Sequence, residues 1–551
     1  MAKNKDEEKK SLSRREFLKD TGMVVGGAAL TMGALSLAGC APEAETTTVT
    51  GPGSTVTTTK TETATPWLPS KWDYEADVVV VGYGGAGAAA AIAAHDAGAS
   101  VLILEKAPEG EEGGNTRVSG NLFFNPEPVD KAKIYFNAMS SGYRIPDDVL
   151  QIWAEEMGAN DEWIESFGAD LFESPISNPE YPELPGADCC HVYSVTRDVS
   201  DGLWQLLKDQ VGQRSIQVLY GTPVKKLIQN ALDKSILGVV AEDGGGMLNI
   251  KAKRAVIMTC GGFENNNEMM RDFLANVERF PVGTPYNTGD GIKMVIEAGA
   301  DLWHLSAQSG MRPAFHFPDT DVSIFLGGTP TGEASTLSKF IWVDGSGKRY
   351  IDEGISNRHG YVLLNSVWRP FPQPIPAFQI FDEECIKTGS LISTTPYGWY
   401  KRVLGITWSS DNSAEVSKGW IIRADTISEL ADKLGIPAET LETTVSNYNN
   451  YCSTGVDAEF GRKPGKMLPI ERPPFYGMPI VGGILNTQGG ARRNAKAQVV
   501  QPDYSPIPRL YSAGEFGSVY GFLYNGGGNV GECMAFGRIA GRNAAAETPW
   551  S

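Results

Sequence analysis

The stretch ADVVVVGYGGAG at residues 76–87 decides the fold of this chain, together with the segments that follow it. Its first half is a run of apolar, β-branched residues, which is typical of a strand buried on both faces. The alanine-rich run from Ala88 to Ala97 predicts a helix, and SVLILE at residues 100–105 predicts a second strand. Strand, glycine loop, helix and strand in this order predict a Rossmann-type βαβ unit.

The glycines of this loop stand where a dinucleotide site needs them. Gly82 makes the tight turn, Gly84 lets the backbone approach a pyrophosphate, and Gly87 lets the helix pack closely on the strand. The helix N-terminus offers backbone N–H groups to the phosphates. Glu105, at the end of the second strand, can accept hydrogen bonds from ribose hydroxyls, which argues against a 2′-phosphate. The unit therefore predicts a dinucleotide site, and segments downstream decide which dinucleotide.

Those segments are glycine-rich loops after apolar strands. They read GGNT at 113–116, AVIMTCGGF at 255–263, LYSAGE at 510–515 and GGGNVG at 526–531, the last followed by a predicted helix to Ala545. With these segments, the chain resembles the FAD-binding type 2 flavoproteins, the family of fumarate reductase, succinate dehydrogenase and 3-ketosteroid dehydrogenase. The blocks that carry the resemblance are VGYGGAG (81–87), EK (105–106), GGNT (113–116), CGGF (260–263), TGDG (288–291), GKRYIDE (347–353) and AGE (513–515).

The resemblance implies an α/β fold with two folded domains. A Rossmann-like FAD-binding domain of the GR2 type would comprise residues 72–301 and 486–551. A capping domain of α+β type, residues 302–485, would be inserted between them, with the substrate at the junction. The implied FAD-binding residues are Gly82, Gly84, Gly85, Ala86, Gly87, Glu105, Lys106, Gly113, Gly114, Asn115, Thr116, Gly120, Val224, Gly261, Gly262, Asp290, Glu515, Asn529 and Val530.

The family's covalent flavin link uses a histidine near the Gly-Gly-Asn loop. Here the following residues, Arg117 to Gly120, contain no histidine, so we expect FAD to be bound non-covalently.

The family's chemistry moves a hydride between flavin N5 and one carbon of a C–C bond that an adjacent carbonyl or carboxylate activates. Charge develops on that oxygen and must be stabilised. The catalytic candidates are Arg358, Tyr524 and Gly528. Arg358 would be the proton donor, although it lies one residue later than the family spacing, which falls on Asn357; the alternative is a structural ion-pair arginine.

Two neutral residues set the expected substrate. Asn486 and Tyr524 stand where fumarate reductases of the family carry a histidine and an arginine, so a dicarboxylate is disfavoured. Tyr524-x-x-x-Gly528 instead resembles the ketosteroid dehydrogenase pattern, in which a tyrosine hydroxyl and a glycine N–H hold a ketone oxygen. Alternatively, Tyr524 only packs beneath the flavin. The ketosteroid enzymes also carry a tyrosine base near the position of Asn357, and this sequence has none there. Asn486, His191 and His304 are the candidate substrate residues, while the other histidines are expected to be structural.

The N-terminus reads as an export signal. SRREFLK at residues 13–19 is a twin-arginine pattern, an apolar run extends from Thr21 to Leu37, and LAGC at 37–40 resembles a lipobox ending in Cys40. Residues 1–40 are thus expected to be a twin-arginine lipoprotein signal, and the Thr-rich residues 41–71 a flexible linker. The folded body would then be lipid-tethered in the periplasm or on the outer face of the cytoplasmic membrane. A plain cleaved signal is the alternative.

Composition limits the partners. The net charge of −18 argues against nucleic acid. None of the seven cysteines has C-x-x-C spacing, so we expect no haem, zinc or iron–sulfur site in this chain. Electrons would then come from an external quinol or cytochrome, or leave to a quinone. Three functions stay open: an enone or enoate reductase or ketosteroid-type dehydrogenase, a respiratory reductase of a small unsaturated acid, and a flavin electron-transfer lipoprotein.

Overall fold

The computed structural model describes residues 44–51, 54–61, 68–195, 202–274, 280–310, 312–318, 320–327, 339–393 and 398–550. The predicted export signal at residues 1–40, including its arginine pair and Cys40, lies outside these residues. Within the part of the chain that the structure describes, no helix is both long enough and apolar enough to cross a membrane.

The linker expected at residues 41–71 contains a β-hairpin. Strands β1 (Ala44–Gly51) and β2 (Ser54–Thr61) pair antiparallel, with Gly51 opposite Ser54. β-branched threonine and valine favour extended backbone even where composition is polar. The linker role of residues 41–71 stays a prediction. The hairpin belongs to one unit of the chain, and Trp67–Ser551 form another.

The strands and helices of residues 68–301 come first in the larger unit. Its strands are β3 (Tyr74–Val81), β4 (Val101–Leu104), β5 (Leu122–Pro126), β6 (Phe172–Glu173), β7 (Cys190–Ser194), β8 (Gln217–Leu219), β9 (Val224–Gln229), β10 (Ile236–Asp243), β11 (Gly246–Met258) and β12 (Phe280–Pro281). Its helices are α1 (Gly85–Asp96), α2 (Gly114–Arg117), α3 (Val129–Met139), α4 (Asp147–Gly158), α5 (Asn160–Glu165), α6 (Gly202–Gln213), α7 (Asn267–Leu274) and α8 (Asp290–Glu297), with a 3-10 turn at Ala187–Cys189.

The remaining elements follow in two groups. Between residues 302 and 485 lie strands β13 (Leu302–Trp303), β14 (Gln308–Ser309), β15 (Arg312–His316), β16 (Ser323–Phe325), β17 (Phe340–Asp344), β18 (Tyr361–Leu364), β19 (Val367–Pro370), β20 (Ala377–Asp382), β21 (Ile422–Ala424) and β22 (Phe475–Ile484). The helices there are α9 (Glu383–Ile386), α10 (Trp399–Arg402), α11 (Ser413–Ser417), α12 (Ile427–Leu434) and α13 (Ala438–Thr454), with a 3-10 turn at Pro464–Lys466. The last group is β23 (Asn486–Thr487), β24 (Gly490–Ala491), β25 (Gln498–Val500), β26 (Pro506–Ser512) and α14 (Gly528–Ala546).

The larger sheet is built around β3. Strand β3 pairs in parallel with β4 on one side and β11 on the other, β8 continues in parallel beyond β4, and β26 pairs in parallel with β11. The valines of β3 are fully buried at positions 78–80, as the run of β-branched residues predicts. The parallel sheet, with helices between its strands, confirms the predicted α/β fold class.

A second, mostly antiparallel sheet has β22 at its centre. Its order is β16-β15-β22-β20-β17, and β12 and β21 also pair with β22. Strand β12 precedes residue 302, so this sheet extends beyond the predicted cap on its N-terminal side. The short pairs β13–β24 and β14–β23 join the segment after residue 302 to the segment after residue 485. The cap boundaries at 302 and 485 stay a prediction.

Candidate active site

The turn between β3 and α1 has the backbone geometry that a bound pyrophosphate requires. Gly82 has a φ of +104°, and a Cβ added there would lie 2.5 Å from the carbonyl oxygen of Thr259. A Cβ at Gly87 would collide with the carbonyl oxygen of Gly82, so only glycine permits this approach of helix to turn. Gly84 caps α1 without a side chain, and its Cβ position has no neighbour closer than 3.6 Å. The start of α1 is therefore open to a phosphate.

Glu105 follows β4 and lies beside that turn. Its two carboxylate oxygens accept the backbone N–H groups of Tyr83 and Ala107, each at 2.6 Å. Burial raises the pKa of Glu105 against the lowering effect of these donors. Glu105 also lines the cavity at the turn. Because each carboxylate oxygen can accept a second hydrogen bond, the carboxylate suits the hydroxyls of a ribose.

Lys106 and Asp290 form an ion pair at the same cavity. The Lys106 Nζ lies 2.7 Å from Oδ2 of Asp290, and it donates to the Thr288 hydroxyl at 2.6 Å. Burial opposes the ionisation of Asp290, but the hydrogen bond and the charge of Lys106 lower its pKa overall. The pair ties the end of β4 to the first residue of α8.

One cavity collects most of the residues that the sequence proposes for the cofactor. Its lining includes Gly82, Gly84, Ala86, Glu105, Lys106, Gly114, Asn115, Thr116, Val224, Gly261, Asp290 and Glu515. Outside the lining lie Gly85, Gly87, Gly113, Gly120, Gly262, Asn529 and Val530. Several of these residues support the loops around the cavity: the Gly85 N–H donates to the Thr116 hydroxyl at 3.2 Å. A Cβ at Gly113 would lie 2.7 Å from the Trp204 ring.

A buried acid that the sequence did not single out stands behind this cavity. The Asn115 side-chain amide donates to Glu264 at 2.9 Å and to Glu515 at 3.1 Å, while its oxygen accepts the Thr284 N–H. Burial raises the pKa of both carboxyl groups. A Glu directly after the Gly261-Gly262-Phe263 turn was the available signal, since a residue at the end of a parallel strand faces the ligand edge of the sheet.

Three buried side chains, at or beside residues that the sequence proposes for the site, have polar atoms without a protein partner. Among the described residues, Asn121 and Gln488 each have two side-chain polar atoms, and none of these four atoms has a hydrogen-bond partner. The Asn529 Oδ1 at the start of α14 is also without one. Buried polar atoms are rarely left unsatisfied in native proteins. These groups, the phosphate turn and Glu105 together fit FAD, which has polar atoms along its whole length.

Tyr524 lies at the N-terminus of α14. Burial raises the pKa of its hydroxyl well above the usual value, against a smaller lowering effect of the nearby backbone groups of Asn529 and Gly527. The predicted second donor, the Gly528 N–H, instead donates to the Asn525 carbonyl at 2.9 Å. The Gly528 N–H is thus already used within the chain, and its pairing with Tyr524 on one substrate oxygen stays a prediction. This bond closes a tight turn of residues 525–528 whose third residue has a φ of +83°.

Arg358 occupies a structural position. Its guanidinium is paired with Glu183 and lies 5.2 Å from the ring centroid of Tyr181 and 5.3 Å from that of Trp368. This arrangement matches the ion-pair alternative, and the proton-donor role of Arg358 stays a prediction. The loop places the next residue, His359, against Tyr524. Their ring centroids are 4.8 Å apart at 81°, and the His359 Nδ1 lies 2.7 Å from Glu180.

The candidate substrate residues are not brought together by their contacts. Asn486 is buried, and its amide donates to the Thr487 carbonyl. The His191 Nδ1 lies 2.9 Å from Glu173 on the sheet of β5, β7 and β6. The His304 Nδ1 lies 2.7 Å from the Ser518 carbonyl, its ring stacks on Trp303, and burial lowers its pKa to about 4. His304 is thus a neutral support for the loop that leads to Tyr524.

Comparison with known proteins places this geometry in a family. Residues 77–530 match the family described as FAD binding domain. A digoxin reductase of Eggerthella lenta is 29% identical, and the alignment covers 98% of both chains. A vinyl phenol reductase of Lactiplantibacillus plantarum is 25% identical over 85% of this chain and 95% of its own length. A 3-oxosteroid 1-dehydrogenase of Mycobacterium tuberculosis is 31% identical, over 54% of this chain and 53% of its own.

Solved structures share the architecture. The open conformation of a flavocytochrome c3 fumarate reductase aligns with a TM-score of 0.66 at 26% identity, covering 86% of this chain and 79% of that one. A 3-ketosteroid delta1-dehydrogenase from Sterolibacterium denitrificans has the same TM-score at 23% identity, over 86% and 99% of the two chains, and shares the fold. The chain belongs to the FAD-binding domain family and is an FAD-dependent oxidoreductase that acts on carbon–carbon bonds.

Proposed function

We propose that this protein is an exported, lipid-anchored flavoenzyme that reduces a carbon–carbon double bond conjugated with a carbonyl group. The observation that carries the proposal is the Tyr524 hydroxyl. It is buried at the start of α14 beside His359 and Tyr520, and burial raises its pKa, so the hydroxyl keeps a proton to donate. The relatives that align over 82–98% of this chain, a digoxin reductase, a vinyl phenol reductase and fumarate reductases, are all reductases.

The residues of the chain divide the chemistry between them. Bound FAD supplies the hydride transfer at N5. The turn at Gly82 to Gly87, Glu105 and the pair Lys106–Asp290 would hold the cofactor. As the double bond is reduced, negative charge develops on the substrate's carbonyl oxygen, and the Tyr524 hydroxyl donates a hydrogen bond to it. One such donor, fixed before the reaction, contributes about 10²–10³-fold in rate.

The charges around Tyr524 favour a substrate without a second carboxylate. Asn486 and Tyr524 are neutral where dicarboxylate reductases of the family carry cations. Glu180 lies close by, 9% exposed, with its carboxylate on the Gly526 N–H at 2.8 Å and on His359. A dianion would be repelled by this acid, whereas a neutral enone or a monocarboxylate enoate would not. The ring of Tyr520, 5.4 Å from that of Tyr524, adds an apolar wall.

The reverse reaction, dehydrogenation of a ketone, is the second candidate. It rests on the Tyr524-x-x-x-Gly528 pattern and on the 3-oxosteroid dehydrogenase relatives. The hydrogen bond from the Gly528 N–H to Asn525 weighs against it, because that donor is already used within the chain. Reduction therefore stands first.

The remaining features of the proposal rest on the sequence. The twin-arginine pattern and the lipobox at Cys40 support export and a lipid anchor. Electrons would arrive from an external quinol or cytochrome. The segment Arg117 to Gly120 contains no histidine, which supports non-covalent FAD. If the protein is precipitated with acid, non-covalent flavin should be released into the supernatant.

A substrate screen with reduced enzyme tests the function. The purified, photoreduced protein is mixed anaerobically with a panel of enones, enoates and fumarate, and flavin reoxidation is followed by absorbance. We expect rapid reoxidation by at least one enone or enoate and little by fumarate. Tyr524→Phe should slow it by about 10²–10³-fold while FAD content stays unchanged. If no panel member reoxidises the flavin, the protein is better described as an electron-transfer lipoprotein.

A further inference from the structure

A histidine occupies a strained position in the loop after Arg358. The backbone groups of Arg358 and Tyr361 exchange two hydrogen bonds, at 2.9 and 3.1 Å, so His359 and Gly360 are the central residues of a tight turn. Both have positive φ, 45° and 92°. Glycine adopts this conformation easily, whereas histidine does so only where its surroundings enforce it. Such strain is concentrated at functional sites.

The backbone around His359 is held from neighbouring elements. The Gly310 N–H donates to the His359 carbonyl at 2.9 Å, and the Gly360 N–H donates to the Asn357 side chain at 2.9 Å. The Gly360 carbonyl accepts from Phe371 at 2.8 Å. The position of the imidazole is therefore fixed by the fold and does not depend on a bound ligand.

Glu180 fixes the imidazole itself. Its Oε1 lies 2.7 Å from the His359 Nδ1, and its Oε2 accepts the Gly526 N–H at 2.8 Å. The Glu180 N–H in turn donates to the Asn525 side chain at 3.0 Å. A carboxylate on Nδ1 sets the tautomer of a histidine and stabilises its protonated form. In the described part of the chain no group hydrogen-bonds the His359 Nε2, which leaves that nitrogen for a substrate.

The imidazole lies beside the residue that would hold the substrate's oxygen. The His359 ring packs edge to face on Tyr524, with centroids 4.8 Å apart. In a conjugated carbonyl compound, the carbon that takes the proton is directly bonded to the carbonyl carbon. A substrate held by the Tyr524 hydroxyl therefore brings that carbon to the neighbourhood of His359.

We propose that His359 is the proton donor of the reaction and that Glu180 is its positioning residue. The inference rests on the proposed function. The Nε2–H bond breaks, and its proton forms a C–H bond with the electron pair of the substrate's double bond, at the carbon next to the carbonyl. The other carbon of the double bond receives the hydride, whose two electrons come from the reduced cofactor. His359 is left neutral and is reprotonated from solvent.

Paired variants test this assignment in the FAD-loaded full chain. With a substrate that oxidises the wild-type reduced flavin, we expect His359→Gln to lower kcat by about 10²–10⁴-fold, the contribution typical of a general acid. KM should change little, because glutamine keeps the size and polarity of the side chain. Glu180→Gln should lower kcat in the same direction with KM maintained. His95→Gln, at the end of α1 beside Asp96, is the matched control and should leave kcat unchanged.

Chemical rescue separates a proton donor from a structural tie. In His359→Ala, added imidazole should restore turnover in proportion to its concentration, while FAD content and Tm stay at their values without imidazole. Turnover of His359→Gln close to wild type, or a His359→Ala variant that imidazole does not restore, would overturn the role of His359. Failure of the proposed function has a different signature, because there the wild-type flavin is not reoxidised by any enone or enoate.

Discussion

At the scale of single residues, the carboxyl groups of Glu264 and Glu515 differ in the number of hydrogen bonds they accept. Glu264 accepts from the amides of Asn115 and Asn287 and from the N–H and hydroxyl of Thr487. Glu515 accepts from Asn115. Burial, and after it the charge of Glu264, raise the pKa of Glu515 well above the usual 4.5. Glu515 is therefore the member of the pair that holds a proton more readily.

This protonation predicts a pH dependence of the cofactor-free protein. A carboxyl whose pKa is raised on folding binds its proton more tightly in the folded state, so its contribution is complete below pH 4.5. That contribution is lost as pH rises toward the folded-state pKa. Glu515→Gln is neutral at every pH, so its Tm should fall less than the wild-type Tm between about pH 5 and pH 8. Thermal unfolding of FAD-free protein measures this, with Glu439→Gln on the surface of α13 as the control; parallel curves would contradict it.

Sequence reasoning succeeded for residues whose partners are close along the chain. The role of Gly87 follows from one βαβ unit, because its Cβ position meets the carbonyl oxygen of Gly82 in the same turn. His359 and Glu180 are 179 residues apart, and Asn115 and Glu264 are 149 residues apart. No local period encodes such pairs. Arg358 was chosen by spacing alone, which cannot distinguish a side chain at the site from its neighbour in a tight turn.

At the scale of elements, two helices rich in small residues, α1 and α14, pack directly against each other. A Cβ at Gly541 of α14 would collide with the Ala90 carbonyl of α1, and one at Gly537 would lie 2.8 Å from the Ala86 carbonyl. Glycines on one helix and alanines on the other therefore allow backbone to approach backbone. This contact holds the helix that begins near Tyr524 against the helix that begins at the phosphate turn.

Enlarging a side chain at this contact should push the two helices apart. Gly541→Leu is expected to lower the free energy of unfolding by about 1–3 kcal/mol or more, as overpacked cores do. It should also weaken FAD binding, because the start of α1 would shift. Urea unfolding and fluorimetric FAD titration measure the two effects. Ala546→Leu, at an exposed position of the same helix, is the control. Equal stability of the two variants would show that the helices are not in tight contact.

The block GKRYIDE has a role within the cap that the resemblance did not specify. Arg349, fully buried, pairs with Glu353 at 2.8 Å and with Asp457 at 3.0 Å, and Arg462 also reaches Glu353 at 3.1 Å. A buried ion pair must be fully hydrogen-bonded to offset the cost of removing its charges from water. In this network the carboxylates of Glu353 and Asp457 both accept hydrogen bonds from arginine. The network anchors β17 and the chain that leads on to His359. The charged residues of this motif therefore hold the loop that carries His359 in position.

At the scale of the whole molecule, the site is assembled from segments far apart in the chain. The cavity for the cofactor takes residues from the first strands of the larger sheet and from Glu515. The His359–Glu180–Gly526 connection joins the loop after β17 to the segment before α14. Reading the sequence could establish the first set, because it follows a glycine-rich pattern. It could not establish the second, which exists only once the β22 sheet is in place.

The division of the chain after Pro66 predicts where it can be shortened. The 8-stranded and 7-stranded sheets are complete within Trp67–Ser551. The first folded contacts come soon after: Trp72 packs on Trp550 with ring centroids 6.1 Å apart, and the Asp73 N–H donates to Asn249 at 2.8 Å.

A chain that begins at Trp67 should therefore keep the Tm, the FAD content and the single-turnover rate of the chain that carries the hairpin. A chain that begins at Ala76 loses both contacts, and we expect it to lose about 1–3 kcal/mol of unfolding free energy. Comparing the two by calorimetry isolates the contribution of nine residues that touch no predicted site residue. If the chain that begins at Trp67 were already destabilised, the N-terminal unit would have to contribute to the fold of the enzyme as well as to its tether.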